Sequence, residues 1–270
     1  MMKIFSPLLL ILPLISCANG KDRTFTGSTP ADKEVRMFLD IPVSDSIDFI
    51  RWNLVLGETV FELNCNYGIG KPNTNGFYNG GTELRVKGKI KKELFQLQLQ
   101  NGENGIDLME INDYLLHFLN DAGRPLTGNG GWSYTLNNVA PAITNDVRIA
   151  AMPVPMEDSM IYVGRTPCAV PGLGVSKDCY KLKWKIVLYP NAAKNGPATY
   201  ILYGSNWRKD NLAGTWDMKI GTGKITYVLK DGNGKAVIYL LTIGRILLFT
   251  DADGKLLVGD EDFSYTLNRL

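Results

Sequence analysis

The chain uses nearly the same words twice. Trp132-Ser133-Tyr134-Thr135-Leu136-Asn137 returns as Phe263-Ser264-Tyr265-Thr266-Leu267-Asn268 at the C-terminus. Gly128 stands four residues before the first copy and Gly259 four before the second. Other landmarks keep the same order. Phe25-Thr26-Gly27-Ser28-Thr29-Pro30 parallels Tyr162-Val163-Gly164-Arg165-Thr166-Pro167. Trp52-Asn53-Leu54-Val55-Leu56 parallels Trp184-Lys185-Ile186-Val187-Leu188, and Tyr67-Gly68 is matched to Tyr203-Gly204. A repeat of this period means two copies of one domain. They are read as residues 24–139 and 161–270, joined by a linker over 140–160.

The N-terminus reads as a secretion signal. Lys3 supplies charge and Phe5 to Ile15 a short apolar run, too short for a permanent span. It ends in Leu14-Ile15-Ser16-Cys17, which resembles a bacterial lipobox. The expectation is a signal peptide over 1–16, an acylated Cys17 and a lipidated tether over 17–23, with the lipid bilayer as partner. The 29 basic and 27 acidic residues nearly balance and form no basic block, which argues against nucleic acid as a partner.

Strand patterns dominate the body. Phe61, Leu63, Cys65 and Tyr67 alternate with Glu62, Asn64 and Asn66; Phe95, Leu97 and Leu99 alternate with glutamines. Period two describes strands with one buried face. Asn79-Gly80, Asn104-Gly105, Asp231-Gly232, Asn233-Gly234 and Asp253-Gly254 read as hairpin turns, because Asn and Asp tolerate positive φ and Gly prefers it. About eight short strands per copy make a meander, and a meander of that size closes to remove its edges. The predicted fold is all-β: two tandem copies of a small antiparallel, lipocalin-like up-and-down barrel, with a two-sheet sandwich as the second choice. Short helices are expected only near 31–40 or 168–178, and Val147 to Ala150 is a candidate closing or bridging strand.

Few residues suggest chemistry. Cys168 and Cys179 occur together in the second copy and are absent together from the first, the pattern a disulfide leaves in an exported protein; a redox or metal-binding thiol pair is the alternative. Cys65 has no partner in this scheme and lies in the apolar phase of its strand. His117, the only histidine, matches Leu248, so packing explains it better than catalysis, and no Ser-His-Asp or Cys-His set can be built around it. Met152, Met156 and Met160 offer soft sulfurs every four residues. They would gather around Cu(I) if the segment were helical, but Pro153 and Pro155 oppose a helix. Asp251-Ala252-Asp253-Gly254 lacks the later ligands of a calcium loop and reads as a turn, like Asn120-Asp121-Ala122-Gly123.

The run Tyr162 to Cys168, Leu182 to Leu188, Gly214-Thr215-Trp216 and Leu247 to Lys255 resembles the NlpE-like copper-resistance lipoprotein domain. The closing Phe-Ser-Tyr-Thr-Leu-Asn-Arg is similar to that of lipoproteins of Bacteroidota-type bacteria. The resemblance implies an outer-membrane, lipid-anchored protein with a lipocalin-like barrel, linked to copper tolerance, surface sensing or envelope stress. The family's Cys-x-x-Cys start is reduced here to Cys168 in Cys168-Ala169-Val170-Pro171, which weakens the metal expectation. The reading is therefore a non-enzymatic envelope protein without a catalytic residue or bound cofactor, acting through protein contacts, with Trp207 and Tyr203 as candidate contact aromatics. The alternative is a barrel holding a small hydrophobic ligand, lined by Leu115, His117, Leu119, Ile246 and Leu248.

Overall fold

The computed structural model describes residues 22–140, 144–153, 155–173, 179–191, 196–204 and 211–270. Cys17 and Trp207 lie outside them. The first copy runs β1 (Arg23–Thr29), α1 (Lys33–Leu39), β2 (Phe49–Leu56), β3 (Val60–Gly68), β4 (Thr82–Glu93), β5 (Gln96–Asn101), β6 (Asn104–Glu110), β7 (Leu115–Phe118) and β8 (Thr135–Asn137). The second runs β9 (Met160–Thr166), β10 (Leu182–Asn191), β11 (Gly196–Gly204), β12 (Leu212–Gly221), β13 (Lys224–Lys230), β14 (Ala236–Ile243), β15 (Ile246–Thr250) and β16 (Thr266–Arg269). Each set of eight forms a closed antiparallel barrel in meander order, the last strand pairing with the first.

The repeated residues occupy matching places. Trp52 pairs with Gly27 across β1 and β2, and Trp184 pairs with Gly164 across β9 and β10. Each indole N–H donates to a threonine hydroxyl, Thr29 or Thr166, at 2.8 Å. Each threonine in turn donates to the next proline carbonyl at 2.9 Å. The rings of Trp52 and Phe118 lie 4.9 Å apart at 52°, as do those of Trp184 and Phe249. A buried indole N–H costs free energy unless it is bonded, so the Thr-Pro step travels with the tryptophan in both copies. Gly214 has a similar packing reason. A Cβ there would come within 1.9 Å of the Lys230 carbonyl, and the Tyr200 ring covers it.

The register also corrects some sequence expectations. Trp52 faces Cys65, and Trp184 faces Gly204, so Tyr203-Gly204 matches Asn64-Cys65 rather than Tyr67-Gly68. The β5–β6 turn is Gly102-Glu103, with Gly102 in the left-handed region; Asn104-Gly105 already belongs to β6. Asp231 and Asp251 each cap a turn by accepting two backbone N–H groups. Residues 147–150 form no strand but pack as irregular chain against both barrels, and the Arg148 N–H donates to the Ile111 carbonyl.

The cores are filled by inward-facing side chains. Phe25, Trp52, Leu54, Phe61, Leu97, Leu99, Leu116 and Phe118 fill the first. Tyr162, Trp184, Ile186, Tyr200, Trp216, Leu247 and Phe249 fill the second. The first barrel is capped by α1, which buries Val35, Phe38 and Leu39. The corresponding described residues of the second, Cys168 to Leu173, contribute Val170 and Leu173 to its core and are tied by the Cys168–Cys179 disulfide, Cα–Cα 5.7 Å.

Leu115, Leu119, Ile246 and Leu248 do not line the interiors. They face outward and build a third apolar cluster with Met109, Ile111, Leu241, Ile243 and Leu256 between the barrels. On β7 and β15 the inward positions are instead Leu116, Phe118, Leu247 and Phe249. Both strands are buried in both phases, because one face meets the core and the other meets the second barrel.

Candidate functional site: an aromatic and cationic cleft between the barrels

The repeated C-terminal words build the junction itself. The Ser133 and Ser264 hydroxyls meet at 2.6 Å, and the Thr135 and Thr266 hydroxyls at 2.9 Å. The Gly128 N–H donates to Asn268 Oδ1 at 2.8 Å, and the Gly259 N–H donates to Asn137 Oδ1 at 3.0 Å. These four contacts are reciprocal, as in an isologous dimer, but within one chain. Glycine is required at both places: a Cβ on either would lie 2.1 Å from a backbone oxygen, Trp132 O or Phe263 O.

His117 lies at this junction. One ring nitrogen bonds Thr135 Oγ1 at 2.8 Å and the other the Leu126 carbonyl at 2.9 Å. Burial holds its pKa down, from 6.5 to about 4, against the raising effect of the carbonyl. A fully buried imidazole with both nitrogens engaged is a structural group.

The three methionines fall in two apolar clusters. Met152 joins the inter-barrel cluster, whereas Met160 starts β9 and is fully buried in the second core, with Met156 packed against that core. Among the described residues the chain through them forms no helix. Cys65 is buried and unpaired, and burial pushes its thiol up to about 12. Tyr203 is partly covered by Lys185, whose Nζ lies 5.5 Å from its ring.

Beside the junction lies an open cleft of about 350 Å³. Its first-barrel wall is Asp48, Phe49 and the Gly70–Thr74 loop; Trp132 and the second-barrel residues Arg165, Tyr180, Lys181 and Lys183 complete it. Trp132 stacks on Phe49 at 4.5 Å and 14°, and Phe49 stacks on Phe77 at 4.2 Å and 22°. The Arg165 guanidinium lies over the Trp132 ring at 5.3 Å, so a side chain of the second barrel rests on an aromatic stack of the first.

The cleft lining is strongly positive. The residues lining it include Lys71, Arg165, Lys181 and Lys183 and one carboxylate, Asp48, which accepts the Gly70 N–H at 2.6 Å. Asp262, nearby, is bound to Arg51 and to Asn75. Arg165 and Lys183 stand directly opposite one another across β9 and β10. Like charges in that relation destabilise a sheet. The matching pair in the first barrel is Ser28 and Arg51. Partial burial lowers the pKa of Arg165, and it lowers that of Lys181, where Arg165 and Lys183 add repulsion. Copy comparison holds the signal that sequence reading missed: Ser28, Phe49 and Arg51 of the first repeat become Arg165, Lys181 and Lys183 of the second.

A larger open groove, about 550 Å³, crosses the outside of β2, β3 and β4. Its charges balance, with Arg51, Arg85 and Lys87 against Glu62, Glu83 and Glu261, and Lys87 is paired with Glu62. Among the described residues no group of three or more His, Cys, Asp or Glu side chains is placed to hold a metal. Comparison of the chain with protein-family models, curated proteins and solved structures found no match.

Proposed function

We propose that this protein is a lipid-anchored, non-enzymatic component of the bacterial outer membrane that acts in envelope sensing or adhesion through protein contacts, and that its contact site is the cleft between the barrels. The carrying observation is the gathering of Lys71, Arg165 and Lys181 around an open cleft whose lining holds one carboxylate, Asp48. Cationic side chains clustered at an open cleft steer an acidic partner segment toward it and offer it complementary charge. The stacked Phe77, Phe49 and Trp132 give that site a rigid floor. The filled barrels suit a scaffold better than an internal ligand site, and the placement of the methionines lends no support to copper binding.

A photo-crosslinker at Tyr180 tests the reading in cells. We expect it to trap one acidic envelope protein, and Arg165→Glu with Lys181→Glu to abolish the product while the protein still folds, read as a cooperative melt. The reading fails if the charge-reversed protein traps the same partner, or if loss of crosslinking always follows loss of folding.

A further inference from the structure

The β4–β5 hairpin ends in Leu94-Phe95, between the paired residues Glu93 and Gln96. Leu94 is 94% exposed and Phe95 46% exposed. Leu94 also has φ +47°, a left-handed conformation that costs least with glycine or asparagine. The sister hairpin of the second barrel turns through Thr222-Gly223 and places glycine, at φ +65°, in that region. That sister tip is covered by the linker, since the Ala151 N–H donates to the Gly223 carbonyl. The first barrel thus carries a strained, almost fully exposed leucine and a half-exposed phenylalanine at this tip.

The tip lies where the chain arrives from its lipid. Arg23, the first residue of β1, holds Glu110 at 2.5 Å, and the Glu110 N–H donates to the Phe95 carbonyl at 2.8 Å. Six residue steps separate Cys17 from Arg23, a reach of roughly 20 Å even when extended. An acylated Cys17 therefore confines this end of the barrel to the neighbourhood of the bilayer surface. Val60, 56% exposed, and Lys89, with which it pairs, share this end. Lys91 and Lys92 are exposed on the same hairpin, against Glu93, and Glu58 lies in the adjoining β2–β3 turn. Charge at this end is mixed, so the apolar tip is the main attraction. The Gly70–Thr74 loop of the cleft joins β3 to β4 and so lies at the opposite end of this barrel.

We propose that Leu94 and Phe95 insert into the interfacial region of the phospholipid surface that carries the anchor, fixing the first barrel upright with its cleft loop directed away from the membrane. This rests on the lipid-anchor part of the function proposed above. The tether supplies a high local concentration, so a two-residue wedge that binds weakly by itself suffices to orient the body.

The test uses the mature lipoprotein in phospholipid vesicles. Cys65 is buried and Cys168 is bridged to Cys179, so an introduced cysteine takes an environment-sensitive dye selectively. With Phe95→Cys labelled, we expect a blue shift and quenching by brominated lipid; with Asn73→Cys labelled, at the far end of the barrel, neither. No shift at residue 95, or equal shifts at both, overturns the proposal. A second arm uses the unacylated body from Ala18 onward. Leu94→Gly with Phe95→Ser should cut its partition onto the vesicles by about tenfold, while the melting temperature holds or rises because the strained residue is gone. Equal partition overturns the proposal, as does a wild-type self-association that the same double variant dissolves. The mass of Cys17 separates the two readings: an unmodified cysteine removes the anchor, and the second arm still decides the hairpin.

Discussion

Asn137 and Asn268 are sister residues, yet their loss should not cost the same. Each is fully buried at the junction. Asn268 accepts the Gly128 N–H, and its own amide nitrogen has no partner. Asn137 accepts the Gly259 N–H and also donates to the Asp260 carbonyl at 2.9 Å. Asn268→Ala therefore leaves one buried donor unsatisfied and removes an amide nitrogen that was itself unsatisfied, a cost of about 1–3 kcal/mol. Asn137→Ala leaves a donor and an acceptor without partners, a cost of about 2–5 kcal/mol, reduced toward the lower end because Gly259 and Asp260 are more exposed than Gly128. Urea unfolding of the oxidised protein measures both, read as midpoint shifts at constant slope. The expected order is Asn137→Ala below Asn268→Ala in stability, by about 1 kcal/mol. If Asn268→Ala costs as much or more, or if both cost under about 0.5 kcal/mol, the junction is not held by these bonds.

Two further outcomes follow from the same geometry. The His117 pKa is about 4 in the folded chain and 6.5 ordinarily, so the unfolded chain binds its proton first as pH falls. The stability it contributes is complete above 6.5 and is lost progressively toward 4, by roughly 3 kcal/mol. His117→Leu, the sister residue, should flatten that acid limb, and identical pH slopes for both proteins would remove histidine as its cause. Gly214→Ala should cost about 2–3 kcal/mol, because the added carbon meets the backbone oxygen of Lys230. Gly221→Ala, with nothing within 4 Å, should be nearly neutral, and thermal melts that fail to separate the two would contradict the close approach.

The duplicated all-β architecture was legible because it rests on short-range signals. Period-two runs such as Phe61 to Tyr67 state one buried face, and turns such as Asp253-Gly254 need only local backbone chemistry. The paired loss of Cys168 and Cys179 in the first copy likewise pointed to the bridge that joins them. Other features depended on contacts far apart in the chain. Leu115-Leu116-His117-Phe118 has a leucine in each phase and is buried in both, so alternation could not say which side faced the core. Tertiary packing decided it: the second barrel covers the outward side, and Leu115 becomes junction while Leu116 becomes core. The sequence by itself determined two barrels and a recurring Ser-Tyr-Thr-Leu-Asn strand. Only the folded chain turned that strand toward its own copy and set Arg165 of one barrel on Trp132 of the other, because the hydroxyl, amide and ring contacts that do so join residues in different barrels.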